Sequence, residues 1–139
     1  MAASSGRVPS VCATCRKNHY IEVRQEIGDG QLKWIESFAC ECGHGFETSG
    51  VGLPAPGIRK AILGQSGRAE VWVDDAKMVP RVLTLLVKGL GMPEADAKKR
   101  LEKLPAVAFE GTHAEAAFIS LALGKGGVTA RVVNHLPSK

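Results

Sequence analysis

Cys12-Ala-Thr-Cys15 and Cys40-Glu-Cys42 are two closely spaced cysteine pairs, and together they contain all four cysteines of the 139-residue chain. Each pair can present two thiolates to one metal ion from a tight turn, and the 24 intervening residues suit a hairpin that joins the turns. Tetrahedral zinc takes four such ligands. Gly43 favours a sharp turn beside the second pair. The spacing therefore predicts a zinc ribbon over residues 8–49, with one structural zinc ion bound by Cys12, Cys15, Cys40 and Cys42.

Other uses of these residues remain open at the level of sequence. Disulfide bonds would suit an oxidising compartment, but residues 1–7 contain no apolar stretch of the kind that a secretory signal has. We therefore expect a cytoplasmic protein with reduced cysteines. The first pair also has the spacing of a redox dithiol, although the buried strand and helix start typical of that motif are not evident. His44 could replace Cys40 or Cys42 as a ligand.

Alternating apolar and polar residues surround the predicted metal site. Residues 19–27 and 31–39 read as two strands joined by the turn Gly28-Asp29-Gly30, and residues 46–48 can add a third strand. A unit of about 40 residues buries too little apolar area to fold unaided, so the metal would supply much of its folding free energy. Four thiolates leave no open coordination position, which predicts a structural and not a catalytic zinc.

The charge is distributed unevenly along the chain. The formal net charge is +4, from 18 basic and 14 acidic residues. Residues 1–50 hold five Lys or Arg against six Asp or Glu, whereas residues 51–139 hold thirteen against eight. A near-neutral ribbon argues against non-specific binding of nucleic acid by the ribbon, because affinity for phosphates depends on Lys and Arg density. No stretch approaches the roughly 18 apolar residues that a membrane-spanning helix needs.

The rest of the chain predicts a linker followed by a second domain. Residues 50–67 are rich in Gly and Pro and are interpreted as a linker, with a short docking segment at 58–63. Over residues 68–134, hydrophobic periodicity predicts the order β-α-α-β-α-β, with three strands in one sheet and the helices on one face. The fold class is therefore α+β: zinc-ribbon hairpins followed by a small β-α-α-β-α-β sandwich. Residues 66–139 are expected to fold independently of the metal.

Local patterns define the elements of this second domain. The predicted strands are 68–74, 106–110 and 128–133, and the predicted helices are 79–90, 93–103 and 112–123. Thr112-His-Ala-Glu115 has the form of a capping box at the start of the third helix. Apolar residues at spacings of three and four predict the core-facing side of the first two helices; they are Val79, Val82, Leu83, Leu86, Leu90, Ala97, Leu101 and Leu104.

Short motifs in this region resemble two protein families that share one fold. The segments Gly89-Leu-Gly-Met92, Leu101-Glu-Lys-Leu-Pro105 and Glu110-Gly111, before a helix and a closing strand, resemble the C-terminal domain of the bacterial ribosomal stalk protein. The segments Asp74-Asp75, Val82-Leu83 and Leu90-Gly-Met-Pro-Glu-Ala-Asp-Ala97 are similar to the Clp-protease adaptor family that recognises N-degrons. The resemblance covers about half of the chain and implies the fold that the two families share.

The residues on which those families rely for binding are replaced in this chain. An Asn with which the adaptors hold the substrate's amino terminus corresponds to Val73, and their pocket His and gating Met fall near Pro105 and Leu101. A charged amine there would be desolvated without a partner, so N-degron recognition is not predicted. The basic residues with which the stalk family meets translation factors fall on Val82 and Leu85. The resemblance therefore predicts a fold and not a shared function.

Basic residues on the first two helices of the second domain form a candidate partner-binding surface, with a solvated helix face as the alternative. They are Arg81, Lys88, Lys98, Lys99 and Lys103. No residue stands in a recognisable catalytic context. We therefore predict a non-enzymatic protein–protein interaction or adaptor module that contacts an acidic protein surface, without a membrane or small-molecule partner. The alternative is a nucleic-acid- or ribosome-associated zinc-ribbon protein.

Overall fold

The computed structural model describes residues 3–128 and 130–136, which form a mixed α+β structure with two antiparallel sheets and four helices. The strands are β1 Ala3–Val11, β2 Asn18–Gly28, β3 Gln31–Ala39, β4 Gly45–Val51, β5 Arg68–Val73, β6 Ala106–Gly111 and β7 Arg131–His135. The helices are α1 Pro56–Ser66, α2 Val79–Thr84, α3 Glu94–Arg100 and α4 His113–Lys125. The first sheet has the order β1-β2-β3-β4, and the second has the order β6-β5-β7.

The first sheet is a meander of three hairpins. Gly28 pairs with Gln31 across a two-residue turn in which Asp29 and Gly30 both have positive φ, at 54° and 72°. Such a turn matches the twist of the flanking strands and sets their register. The predicted hairpin is therefore present, but the sheet is larger than the sequence indicated. It begins at Ala3, before the predicted start of the ribbon at residue 8, and β4 continues to Val51.

Residues 56–66 form a helix within the segment predicted as a linker, and the docking segment predicted at 58–63 lies inside this helix. Pro56 occupies the first turn of α1, where its missing N–H has no consequence. The helix lies against β1 at Gly6, because a Cβ there would stand only 3.1 Å from the carbonyl oxygen of Ala61. Ile62 is fully buried beneath the sheet. The segment is thus part of the packed structure.

The second half has the predicted order of elements, with different boundaries. A 3₁₀ turn at Ala76–Met78 leads into α2, which continues as a π-helical turn over Leu85–Gly89 instead of a regular helix to residue 90. Helix α3 ends at Arg100 and not at 103. Strand β7 starts at Arg131, three residues later than predicted. Both β6 and β7 pair antiparallel with the central strand β5.

The apolar positions predicted for the first two helices of this half lie in its core. Val82, Leu86 and Ala97 are fully buried, and Leu101 is 5% exposed. The remaining four predicted positions, Val79, Leu83, Leu90 and Leu104, are partly buried and pack against the same cluster. The period of three and four residues therefore identified the buried side of these helices correctly.

Helix α4 lies between the two sheets. It contacts β5, β6 and β7 on one side and β1, β2 and β3 on the other. This position explains its composition, since a helix that is covered on both sides needs apolar residues around most of its circumference. Its buried residues are Ala114, Glu115, Ala116, Ile119 and Leu123. The expectation of two independent domains did not anticipate this shared helix.

Candidate metal centre

The four cysteines lie in two turns at the same end of the first sheet. Residues 12–17 connect β1 to β2, and residues 40–44 connect β3 to β4. Because β2 pairs antiparallel with β3, the start of β2 lies beside the end of β3. Gly28 lies opposite Gln31, and the register that follows from this pair places both turns at the same end of the sheet. The hairpin between the cysteine pairs therefore brings them together.

Each turn is closed by backbone hydrogen bonds that aim its cysteines inward. The amide of Cys12 donates to Lys17 O at 3.0 Å, and the amide of Arg16 donates to Cys12 O at 2.9 Å. In the second turn the Cys40 amide donates to His44 O at 2.9 Å. Gly43 has φ of 96°, a conformation that residues with a Cβ rarely adopt. The expected role of this glycine in a sharp turn is confirmed.

The four Sγ atoms all lie within 4.8 Å of one another. The closest pairs join the two turns: Cys12 to Cys42 at 3.6 Å and Cys15 to Cys40 at 3.4 Å. These separations exclude disulfide bonds, and all four thiols are free. A tetrahedral ion with metal–sulfur bonds of about 2.3 Å requires sulfur–sulfur distances of about 3.8 Å. The cluster is close to that size, so these four residues can coordinate a metal ion.

The close packing of the cluster shifts the pKa values of two of its thiols in opposite directions. The Cys15 backbone N–H stabilises the Cys12 thiolate and outweighs desolvation, which lowers the pKa of Cys12 to about 6. The Cys42 backbone N–H likewise acts to lower the pKa of Cys40. Desolvation and the side chains of Cys15, Cys42 and Cys12 together oppose it, and the pKa of Cys40 is raised to about 12. Several neighbouring thiolates repel one another, and a divalent ion removes that repulsion.

The histidine whose side chain contacts the cysteine cluster is His19 and not His44. Its Nε2 lies 3.2 Å from the Sγ of Cys40, whereas His44 lies against the ring of Phe38. The ring of Phe38, which is 6% exposed, also contacts His19 edge-on and stacks on Phe46. With a metal ion in the cluster, His19 would be an outer-shell contact that orients Cys40. The hairpin register, which places residue 19 opposite residue 40, could have revealed it.

The predicted partner-binding residues are all exposed, but they do not form one uniform surface. Lys98 pairs with Glu94 at 3.2 Å on α3, next to Lys99. Arg81 is directed toward the end of α4, because a Cβ on Gly126 would lie 3.3 Å from its Nη1. A cation at that position complements the carboxyl end of the helix dipole. The exposed members of the set are Arg81, Lys88, Lys98, Lys99 and Lys103.

A buried polar network, which sequence reasoning missed, joins the two sheets at the start of α4. The capping box is present: the Thr112 hydroxyl accepts from the Glu115 amide at 3.1 Å, and Glu115 Oε1 accepts from the Thr112 amide at 3.0 Å. Glu115, fully buried, also accepts from Arg59 Nη2 at 2.9 Å and from Gln25 Nε2 at 2.7 Å. The capping motif was visible in the sequence, but its partners on β2 and α1 were not.

The remaining contacts complete this network. The Thr112 hydroxyl donates to Gln25 Oε1 at 2.5 Å, and the Ala114 amide donates to Ser4 Oγ at 2.9 Å. The Arg59 guanidinium also donates to the carbonyl oxygen of Glu110 at 3.0 Å. Each buried polar side chain of the network therefore has partners, which is the condition under which buried polar groups stabilise a fold.

None of the helices formed by the described residues combines the length and apolar character needed to cross a membrane. Comparison of the chain with protein-family models, with curated proteins and with solved structures gave no match.

Proposed function

We propose that the N-terminal half of this chain is a zinc ribbon whose metal is structural. The observation that carries the proposal is the convergence of four Sγ atoms, within 4.8 Å of one another, from two hairpin turns. Thiolates in a set of four favour zinc or an iron–sulfur centre, and the tetrahedral size of this set suits one zinc ion. With all four positions filled by Cys12, Cys15, Cys40 and Cys42, the ion has no vacancy for a substrate or an activated water.

The same geometry supports a non-enzymatic role. The metal would tie the β1–β2 turn to the β3–β4 turn, and its contribution would be to hold the end of a sheet that buries few apolar side chains. The second half has the strand order β6-β5-β7, and its helices share one apolar cluster with the strands; both features support the proposed stalk- or adaptor-like fold. The function we propose is therefore an interaction or adaptor module that presents folded surfaces to a protein partner.

The charge arrangement of the first sheet supports a protein partner over nucleic acid. Three of its basic residues are paired with carboxylates: Arg7 with Glu22 at 3.9 Å, Arg24 with Glu26 at 3.8 Å and Lys33 with Asp29 at 3.5 Å. Binding to phosphates depends on unpaired Lys and Arg that can release counterions. Residues 51–139 carry the excess of positive charge, and we propose their exposed cations Arg81, Lys88, Lys98, Lys99 and Lys103 as the contact with an acidic protein surface.

The metal proposal is tested by native mass spectrometry of the purified full chain. We expect one zinc ion per chain, lost on chelation together with the far-UV signal of the first sheet. Replacing zinc with cobalt should give the absorption of a tetrahedral four-thiolate site. A chain that binds no metal under these conditions, or that keeps the first sheet folded after chelation, would contradict the proposal.

The interaction proposal is tested separately, with immobilised zinc-loaded protein and extracts of the native host. We expect a defined protein to be retained by the wild type and, at low salt and short contact time, to be retained less by Lys98→Glu combined with Lys99→Glu. A matched control, Lys17→Glu, changes charge on the first half. Retention of RNA or DNA that falls steeply with salt, without a protein partner, would favour the nucleic-acid alternative.

A further inference from the structure

The two edges of the first sheet are treated very differently by the rest of the molecule. On β1 the outward backbone groups are bound by side chains of α1: the Arg7 amide donates to Gln65 Oε1 at 2.8 Å, and Gln65 Nε2 donates to Arg7 O at 2.7 Å. The Ser5 amide and carbonyl are bound in the same way by the hydroxyl of Ser66. Pro9 has no backbone N–H to donate. This edge is closed to further strands.

The opposite edge, β4, is open. The Cys40 amide donates a hydrogen bond to His44 O, and the Gly52 amide donates one to Leu32 O. The even-numbered residues of β4 therefore direct their backbone N–H and C=O groups to β3. By the alternation of an antiparallel ladder, the odd-numbered residues 45, 47, 49 and 51 direct theirs outward. In the part of the chain that the structure describes, those outward groups have no hydrogen-bond partner. Six of the seven β4 residues are exposed.

Strand β4 also lacks the features that normally protect an edge. It contains no Pro, Lys or Arg, and its single charge is Glu47. Phe46 is 41% exposed and Val51 is 62% exposed, at opposite ends of the strand. A seven-residue edge with a single charged side chain and apolar ends is a template for pairing with another strand.

We propose that β4 pairs antiparallel with β4 of a second copy of this chain, which joins the two four-stranded sheets into one sheet across a two-fold axis. The outward residues must face one another, and the register that overlaps all of residues 45–51 is centred on Thr48. It places Glu47 opposite Ser49 of the second copy and Gly45 opposite its Val51. Such an isologous contact closes on itself and yields a dimer.

The two neighbouring registers are less favourable than the Thr48-centred one, the first because of charge repulsion and the second because of a shorter overlap. Moving the centre to residue 47 would place the two Glu47 carboxylates opposite each other, which is unfavourable in a cross-strand pair. Moving it to residue 49 would leave only residues 47–51 paired. The Thr48-centred register therefore combines the longest overlap with no opposed like charges.

Aromatic side chains support the same register. The ring of Trp34 covers Gly50, since a Cβ on Gly50 would lie 2.5 Å from its Cζ2. Phe46 and Gly50 share that face of β4, and the Thr48-centred register sets Phe46 opposite Gly50 of the second copy. Each exposed phenyl ring would thus meet a Trp34 ring across the two-fold axis, in the kind of cross-strand contact by which aromatic groups cover a glycine.

Sedimentation equilibrium of the zinc-loaded full chain tests the dimer and its register together. Ser49→Glu would oppose Glu47 at two symmetric sites and should weaken dimerisation about tenfold, whereas Ser49→Lys should strengthen it several-fold. The control is Ser5→Glu, the same change on an exposed serine of the closed edge, which should leave the dimer constant unchanged.

Hydrogen exchange locates the contact. The amides of Glu47 and Ser49 should become protected as protein concentration rises, while the Arg7 amide, already bound to Gln65, should not change. The proposal is overturned by a wild type that stays monomeric to concentrations on the order of 100 µM. It is equally overturned if the Glu and Lys variants at residue 49 shift the constant in the same direction, or if Ser5→Glu disrupts the dimer as strongly.

Discussion

The two sheets of this protein are stabilised by different means. The three-stranded sheet and its helices enclose a continuous apolar cluster that includes Val71, Val82, Leu86 and Ile119, each fully buried. The four-stranded sheet supplies only four buried apolar side chains apart from its cysteine. These are Val23, Leu32, Ile35 and Phe38.

This difference shows what a small sheet needs when apolar burial is scarce. One end of the four-stranded sheet carries the cysteine cluster, and the other end is joined to α4 by the network around Glu115. Both features can replace apolar area with specific bonds: the cysteines can coordinate a metal ion, and the network satisfies buried polar groups. The protein contains two tryptophans, Trp34 in the first sheet and Trp72 in the second, so single-tryptophan variants can follow each half separately.

The largest effect is expected from loss of a metal ligand. Cys15→Ser should abolish tight zinc binding and remove stabilisation on the order of 10 kcal/mol from the first sheet, because structural zinc sites of this kind contribute that much to folding. Trp34 fluorescence in a Trp72→Phe background should report an unfolded environment. Trp72 in the complementary variant should still show a cooperative urea transition.

The matched control for this change is Thr14→Ser, which alters an exposed residue of the same turn without removing a thiolate. It should bind zinc and unfold like the wild type. Equal loss of both tryptophan transitions in Cys15→Ser would show that the second half depends on the metal too, and the contrast between the halves would fail.

The next largest effect is expected at the junction between the sheets. Glu115→Ala should cost about 3–5 kcal/mol, because it leaves the Arg59 guanidinium and the Gln25 amide without their buried acceptor. The urea midpoints of the Trp34 and Trp72 transitions should both fall, since the network includes residues of both halves. Glu110→Ala is the control: this carboxylate is half exposed and pairs with Arg68 at the surface, so about 0–1 kcal/mol is expected. Equal costs in urea unfolding would refute the assigned role of Glu115.

A core substitution should act on the second half alone. Leu86→Ala is expected to cost about 2–5 kcal/mol in the Trp72 transition, because this side chain is fully buried and its removal leaves a cavity. Leu83→Ala, at a partly buried position one turn earlier, should cost less. Zinc content, measured by mass spectrometry, should stay at one ion in both variants. Loss of zinc from Leu86→Ala would mean that the halves unfold as one unit.

The smallest effect on stability is expected from charge reversal on α3. Lys98→Glu combined with Lys99→Glu should change the unfolding free energy by no more than about 0.5 kcal/mol, since both residues are exposed and only the pair with Glu94 is lost. Binding to an acidic partner should nevertheless slow, mainly through the association rate and most strongly at low salt. Unchanged association kinetics at low salt would identify this side of α3 as a merely solvated surface.

Local patterns predicted much of the fold, and the exceptions have a common cause. The turn at Gly28-Asp29-Gly30, the capping box at Thr112 and the apolar side of α2 each depend on residues within a few positions of one another, and each is present. Of helix α1 the sequence predicted only a short docking segment at 58–63, because Gly57 and two prolines indicated a linker, while the stabilising contacts of the helix with β1 involve residues about 60 positions away. Strand β1 was missed for the same reason.

The cysteine spacing by itself determined that two thiol-bearing turns would form, and the hairpin between them determined that they would meet. These outcomes depend on short-range geometry: two closely spaced residues in a turn and a two-residue connection that sets a register. Only the tertiary structure decided that Glu115 is buried and that α1 closes one sheet edge while β4 stays open. Burial and edge protection depend on which distant segments pack together, and no local pattern in the chain specifies that.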